Sequence, residues 1–320
     1  FAFNPLFGGN VTSAGCQRSG PVTDENGNQT FDCTGEYISG AYTYNNPDVL
    51  TAPNQLESFN ARYNPTFTSP PDWGANYIPL PRDALEQRDK ASEKGLLFTE
   101  SLNELELYAG DALGNKDNSG NAQFQYIKAC PLSASCEYYR YGPDKKLYKS
   151  TAVDVWPGQL VQDDFNGLVY ADGDIQSFSG PTRNEGGPAL ASFAELTVVG
   201  DGSIYITGDL TYENPPCTGT PERNGNSITP ATCDNLNARN VLGVFTPTGD
   251  INISTEAPND ITIHGSLMAG DGVVTVEDYD NGGPRGSVNL LGGIIEKKYG
   301  AFFTFNESSG ELLTGYDRSF

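Results

Sequence analysis

The sequence predicts a mainly β protein: a β-solenoid of stacked strands, preceded by a hairpin- and loop-rich region with one short surface helix. Two observations carry that fold class. The first is repetition between about residues 165 and 305. There "GLVYADGDIQSF", "GSIYITGDL", "GVFTPTGDINIS", "ITIHGSLMAG", "GVVTVEDY" and "SVNLLGGIIEK" alternate aliphatic or β-branched residues with polar ones, then meet Gly beside Asp, Asn or Ser. Alternation marks a strand with one buried face, and Gly-Asp and Gly-Gly steps supply turns. Strands this short bury little alone, but stacked as rungs they cover one another's apolar rows. The second is composition: 37 Gly and 21 Pro against 37% hydrophobic residues favour a turn-rich β chain. An antiparallel sandwich is the alternative, since Gly-rich turns suit it equally.

In chain order, residues 1–150 read as a loop-rich β region packed on the solenoid, and residues 151–320 as the solenoid itself. The boundary falls near Thr151–Gln162. Residues 1–80 are dense in Pro and Gly and read as long connections. A surface helix is expected near 82–95: Pro81 suits its first turn, Asp83 its N-terminus, Glu86 and Lys90 an i,i+4 pair, and Gly95 its stop. Short alternating runs from Leu96 to Tyr148 read as hairpins. In the repeats, Ile204, Ile206, Ile251, Ile253, Ile261 and Ile263 form the inward rows. Spacings between the turn glycines Gly173, Gly202, Gly249, Gly272 and Gly286 are 29, 47, 23 and 14 residues. The 47 requires an insertion, found near 213–239, and the 14 a short return. After Gly300, "AFFTFNESSGELLTGY" reads as a terminal hairpin covering an otherwise open edge.

Six cysteines fall as three local pairs, Cys16 with Cys33, Cys130 with Cys136 and Cys217 with Cys233. Six cysteines allow fifteen connectivities. Nearest-neighbour disulfides are favoured because each pair brackets a loop-like segment, and closing such loops stabilises by roughly 2–3 kcal/mol each. A zinc site has little material, with no C-x2-C and His264 the one histidine. Paired cysteines point to an oxidising, extracellular compartment. The formal net charge of −22 repels nucleic acid and anionic lipid at long range. No run of about eighteen apolar residues suggests a membrane span. The chain begins at Phe1, without Met or a signal peptide, and is expected to be a piece of a longer protein.

The segments "FNGLVYADGDI", "ASFAELTVVGDGSIYITGDLTYE", "NVLGVFTPTGDINI", "ITIHGSLMAGDGVVTVEDYD" and "GSVNLLGGIIEKKYGAFFTF" are similar to a known pattern. It resembles the family of large bacterial pilin-like, pilus-assembly-associated proteins that includes the competence pilin ComZ. The similarity extends upstream through "FGGNVTSAGC", "YIPLPRDALEQ" and "CEYYRYGPDKKLY", and is most specific from Phe165 to Phe320. It implies an extracellular β-solenoid on a type IV pilin-like module at or near a pilus tip, with other pilus or envelope subunits as partners. For the competence member it also implies DNA capture. The apolar N-terminal helix that packs such pilins into a filament is not among these residues.

Catalytic chemistry finds little material. One histidine and paired cysteines leave Ser-His-Asp and Cys-His arrangements unsupplied. His264 reads as an ordinary rung residue, pointing outward with Thr262. Asp163, Asp164, Asp172 and Asp174 near Tyr170 are the densest acids, and a carbohydrate-active β-helix enzyme using Asp172 or Asp174 is the rival to a non-enzymatic surface protein. Asp271, Asp278 and Asp280, with Glu277 and Asn281, offer oxygen donors for a structural calcium ion. One segment opposes the global charge: Phe124–Ser150 carries Lys128, Arg140, Lys145, Lys146 and Lys149 against Glu137 and Asp144. Arg140, Lys145, Lys146 and Lys149 interleave with Tyr138, Tyr139, Tyr141 and Tyr148. Cations for phosphates beside aromatic faces for stacking suit a nucleic-acid strand, with Tyr139 or Tyr141 as the stacking residue. The competing reading is a disulfide-pinned hairpin with a solvated outer face. Adhesion to surface glycans and a purely structural envelope role complete the range.

Overall fold

The structure is a computed structural model that describes residues 83–116, 120–152, 154–219, 222–224, 227–229, 231–296, 300–306 and 312–319, with four short strands before them. Contacts divide the chain into two compact units, Phe1–Pro79 with Pro221–Ala231 and Leu80–Thr220 with Thr232–Phe320. In the first, β1 (Leu6–Phe7), β2 (Pro21–Thr23), β3 (Gln29–Phe31) and β4 (Thr66–Phe67) pair as β1 with β4 in parallel and β2 with β3 antiparallel. The strands between residues 96 and 162 belong to the second unit and are hydrogen-bonded within its two sheets.

The second unit opens with α1 (Leu85–Lys94). Only Ala91 of the helix is buried, as its thin apolar stripe predicts, and Gly95 ends it by donating to Ala91 O at 2.9 Å. Gly95 is required there, since a Cβ would lie 2.5 Å from Leu168 O. The expected Glu86–Lys90 pair is replaced by Lys90–Glu93 at 2.7 Å. Next come β5 (Leu96–Phe98), then β6 (Leu102–Gly110), β7 (Phe124–Pro131), β8 (Glu137–Tyr141), β9 (Leu147–Ser150) and β10 (Gln159–Gln162). From β6 to β10 each strand pairs antiparallel with the next, as the alternating runs imply.

Beyond β10 the pairing changes to parallel. Strands β11 (Leu168–Ala171), β12 (Ile175–Ser179), β13 (Glu195–Gly200) and β14 (Ile204–Ile206) alternate between two sheets. After β15 (Glu222–Asn224) and β16 (Ser227–Thr229), an antiparallel pair of the first unit, the alternation resumes. It runs through β17 (Val241–Thr246), β18 (Ile251–Ile253), β19 (Thr262–Ala269), β20 (Val274–Val276) and β21 (Pro284–Glu296). The chain ends in the expected hairpin, β22 (Phe303–Phe305) with β23 (Leu312–Ser319). One sheet reads β10-β9-β8-β7-β6-β12-β14-β18-β20, the other β22-β23-β21-β19-β17-β13-β11-β5.

Register explains the core. Leu102, Ile175, Ile204, Ile251 and Val274 stack in one row, and Val169, Val198, Val244 and Leu267 in the facing row; all are at most 1% exposed. The six isoleucines expected to point inward are fully buried. Gly202, Gly249 and Gly272 stack at one corner between the sheets: a Cβ on Gly249 would lie 2.4 Å from Gly202 C, and one on Gly272 1.9 Å from Gly249 O. Gly286 belongs to another corner, against Asp260, so the 14-residue spacing is no return. The true return after Leu267 is at Ile294, 27 residues on.

Gly272→Ala is therefore expected to destabilise by about 3 kcal/mol, the upper end for overpacking. Gly283→Ala, whose Cβ would meet nothing within 4 Å, is expected to stay within about 0.5 kcal/mol of the parent. Urea denaturation midpoints at unchanged slope decide the comparison.

Candidate functional site

The cations and aromatics singled out by sequence sit on β7–β9, and strand alternation divides them between two faces. Tyr108, Tyr126, Arg140 and Tyr148 stand in one cross-strand row on the outer face. Tyr108 and Tyr126 stack with centroids 4.7 Å apart. The Arg140 guanidinium lies over the Phe124 ring at 4.1 Å and the Trp156 ring at 4.8 Å. Its Nη1 donates to Ala112 O at 2.7 Å and to Tyr126 Oη at 3.3 Å. Tyr126 Oη in turn donates to Asp111 O at 2.5 Å. Burial raises the Tyr108 and Tyr126 hydroxyl pKa values.

Tyr139 and Tyr141 occupy the opposite, core-facing side. Tyr141 packs against Phe165 at 5.0 Å and Phe193 at 6.0 Å, and Tyr139 meets Phe98 edge-on at 6.3 Å. Tyr139 Oη donates to Glu137, which also binds Lys149 Nζ at 2.6 Å. Burial pushes both phenol pKa values upward, with the Glu137 contact adding to that of Tyr139. Lys145 and Lys146 are exposed on the β8–β9 turn. The expected patch is thus not assembled as one surface: Arg140, Tyr139 and Tyr141 are buried, and the two turn lysines and part of Lys149 face solvent. Sequence reasoning missed Phe124 and Trp156, the plates around Arg140. Trp156 sits in "VDVWPG", which reads as a domain boundary.

Other candidates have structural duties. Asp172 takes a two-pronged ion pair from Arg88 at 2.7 Å, which holds its pKa below the usual carboxylate range. Asp174 Oδ1 accepts Ser203 N at 2.7 Å, and Asp164 pairs with Lys94 at 2.6 Å. Asp278, Glu277 and Asn281 border a cavity of about 270 Å³, without Asp271 or Asp280. Arg285 borders it too, and a guanidinium beside these acids opposes a divalent cation. Among the described residues no group of three or more His, Cys, Asp or Glu is placed to hold a metal ion. Cys130–Cys136 and Cys217–Cys233 are disulfides, while Cys16 and Cys33 lie outside the described residues. His264 is half-buried rather than freely solvated. Its Nδ1 accepts Tyr212 N at 2.9 Å, the Tyr212 ring meets it edge-on at 5.2 Å, and burial lowers its pKa to about 4.

No family model matches the chain, and no curated protein or solved structure matches it. No helix among the described residues is long and apolar enough to cross a membrane.

His264 generates a pH prediction. Folding holds the imidazole neutral, so stability is unaffected above its ordinary pKa of 6.5 and is lost as pH falls from there toward about 4. The cause is that the unfolded chain takes up the proton first. His264 is the single histidine, and the depressed carboxyls of Asp172 and Glu185 withdraw their contributions lower, below 3.8 and 4.5. Urea midpoints at successive pH values from neutral to about 5 should decline for the parent and flatten for His264→Gln.

Proposed function

We propose that the two sheets are faces of a β-solenoid, and that the chain is a non-enzymatic extracellular surface protein. It acts as a type IV pilus-associated component presenting a rigid body for adhesion or DNA capture. The observation that carries the reading is the alternation of parallel strands between the sheets from β11 to β20. Such a stack grows by repetition and stays stiff along its length, which suits display. The resemblance of Phe165–Phe320 to pilus-associated proteins supplies the filament, and two disulfides fit an oxidising exterior. The carboxylates that a carbohydrate-cleaving reading would use, Asp172 and Asp174, are engaged with Arg88 and Ser203. Immunogold labelling of intact cells with antibody to this chain should mark surface filaments or their ends; label confined to the cell interior would sink the proposal.

If DNA is the cargo, Lys145 and Lys146 are the exposed cations of the basic segment, Lys149 being paired with Glu137. Two contacts to a single strand give a log–log salt slope of about −1.4, taking about −0.7 each. Binding should be weak and sequence-indifferent, and Lys145→Ala/Lys146→Ala should lower affinity and flatten the slope in an oligo(dT) salt titration. Absence of binding at low salt would remove DNA and leave adhesion.

A further inference from the structure

Two Asn-Gly pairs lie wholly among the described residues, Asn166–Gly167 and Asn281–Gly282. Asparagine is chemically labile, and most so before glycine, which has no Cβ to keep its backbone nitrogen from the asparagine side-chain carbonyl. The two pairs are held very differently. Asn166, just before β11, is pinned by its backbone and by both side-chain polar atoms. Its N donates to Lys94 O at 3.1 Å, its Nδ2 donates to Lys90 O at 2.9 Å, and its Oδ1 accepts Leu168 N at 3.0 Å. Gly167 O accepts Thr197 N at 2.9 Å, and a Cβ on Gly167 would lie 2.2 Å from Glu195 O, so this pair is packed against β13.

Asn281 and Gly282 are exposed, between β20 and β21. Asn281 N donates to Asp278 O at 2.9 Å and closes a turn. Its side chain makes one hydrogen bond among the described residues: Oδ1 accepts Gly282 N at 2.9 Å. That contact sets the Gly282 nitrogen against the Asn281 side-chain carbonyl, the group it must reach to close a ring. A Cβ on Gly282 or on Gly283 would meet nothing within 4 Å, so the chain has room to turn there. The Gly282 φ of 84° lies where glycine is favoured. Asn281 also borders the cavity of about 270 Å³ that Glu277, Asp278 and Arg285 line.

We propose that Asn281 is a site of spontaneous deamidation, and that the fold protects Asn166 from the same reaction. The Gly282 nitrogen gives its proton to solvent and bonds to Asn281 Cγ. The Cγ–Nδ2 bond breaks, and Nδ2 takes up a proton and leaves as ammonia. The product is a five-membered imide spanning the two residues. Water then adds at one of its two carbonyls. Breaking the new N–Cγ bond gives aspartate; breaking the original peptide C–N bond gives isoaspartate, with the main chain routed through Cβ. Either outcome places another carboxylate beside Glu277 and Asp278, where Arg285 is the one cation lining the cavity. At Asn166 the ring can close only after the two side-chain hydrogen bonds open. The site is independent of the pilus reading.

The folded protein is incubated at neutral pH and peptide-mapped by mass spectrometry over time, with the isoaspartyl and aspartyl peptides separated chromatographically. Conversion at Asn281 is expected to outrun that at Asn166 by about tenfold or more, because two hydrogen bonds hold Asn166 back. The same incubation in guanidinium chloride should bring the two rates together, since each pair is then free of the fold. Hydroxylamine attacks the imide and cuts the chain, so the folded protein should be cut after Asn281 and not after Asn166. Asn281→Gln should lose that cut while its circular dichroism matches the parent. The comparison of two sites is made within one parent chain, so it stands whether or not the variant folds. Asn281 keeping its amide in the folded protein would overturn the proposal. So would equal rates at Asn281 and Asn166 before unfolding.

Discussion

Parallel strands can stack at sheet spacing only if the corners between them let backbone touch backbone, and the rest of this fold depends on that approach. Gly202, Gly249 and Gly272 meet it by carrying no side chain where one would strike the glycine or aspartate of the preceding corner. The neighbouring carboxylates complete the corner. Asp174 accepts Ser203 N, and Asp250 accepts Val273 N at 2.9 Å. At a second corner Asp209 accepts Thr262 N at 2.8 Å and Asp260 accepts Ser287 N at 2.9 Å. Each bond reaches from one strand or corner to the parallel one beside it, satisfies an N–H at or near a strand's start, and fixes register. With register fixed, side chains two apart fall into continuous rows, and the isoleucine and valine columns follow.

Much of this was legible in sequence, because period-two alternation and turn glycines are local signals. The strands, the buried isoleucines, the Gly95 stop and the bracketing of Cys130–Cys136 and Cys217–Cys233 all lie within a few residues of what specifies them. Failures came where a partner is distant. Gly286 resembles the other turn glycines but packs on Asp260, and nothing nearby distinguishes the two corners. His264 alternates outward as its strand requires, yet Tyr212, 52 residues earlier, covers it. In "YYRY" the alternation does separate Tyr139 and Tyr141 from Arg140. What it cannot reveal is that both faces are covered, one by Phe165 and Phe193, the other by Trp156.

The acidic composition looks different against these contacts. A net charge of −22 reads as a repulsive field, and at long range it acts as one. Locally, many acids are structural acceptors. Glu213 accepts Ala122 N and Ser192 N, Glu277 accepts Ser254 Oγ and Thr255 N, and Glu296 accepts Val274 N. Others hold cations across long sequence separations, as Asp172 holds Arg88, Asp209 holds Arg183, and Glu106 with Glu185 hold Lys116. Clusters of Asp near Gly, which invite a metal or catalytic reading, arise here because a stacked corner needs both a residue without a side chain and a short acceptor.

The fold also leaves a few buried polar groups unspent. Gln125, fully buried, is satisfied: its Nε2 reaches Ala189 O at 2.9 Å and its Oε1 accepts Ala191 N at 2.8 Å, tying the antiparallel strands to the connection between β12 and β13. Among the described residues the buried side-chain atoms without a partner are Arg140 Nε, Tyr141 Oη and both polar atoms of Asn240. Two of these three residues are neighbours on β8. The corner N–H groups find carboxylate acceptors at the neighbouring corner, whereas among the described residues no carboxylate is paired with Arg140. Two of the four unpartnered atoms lie on β8 of the antiparallel meander and two on Asn240, beside β17 of the parallel strands, so each part of the fold leaves buried polar atoms unspent.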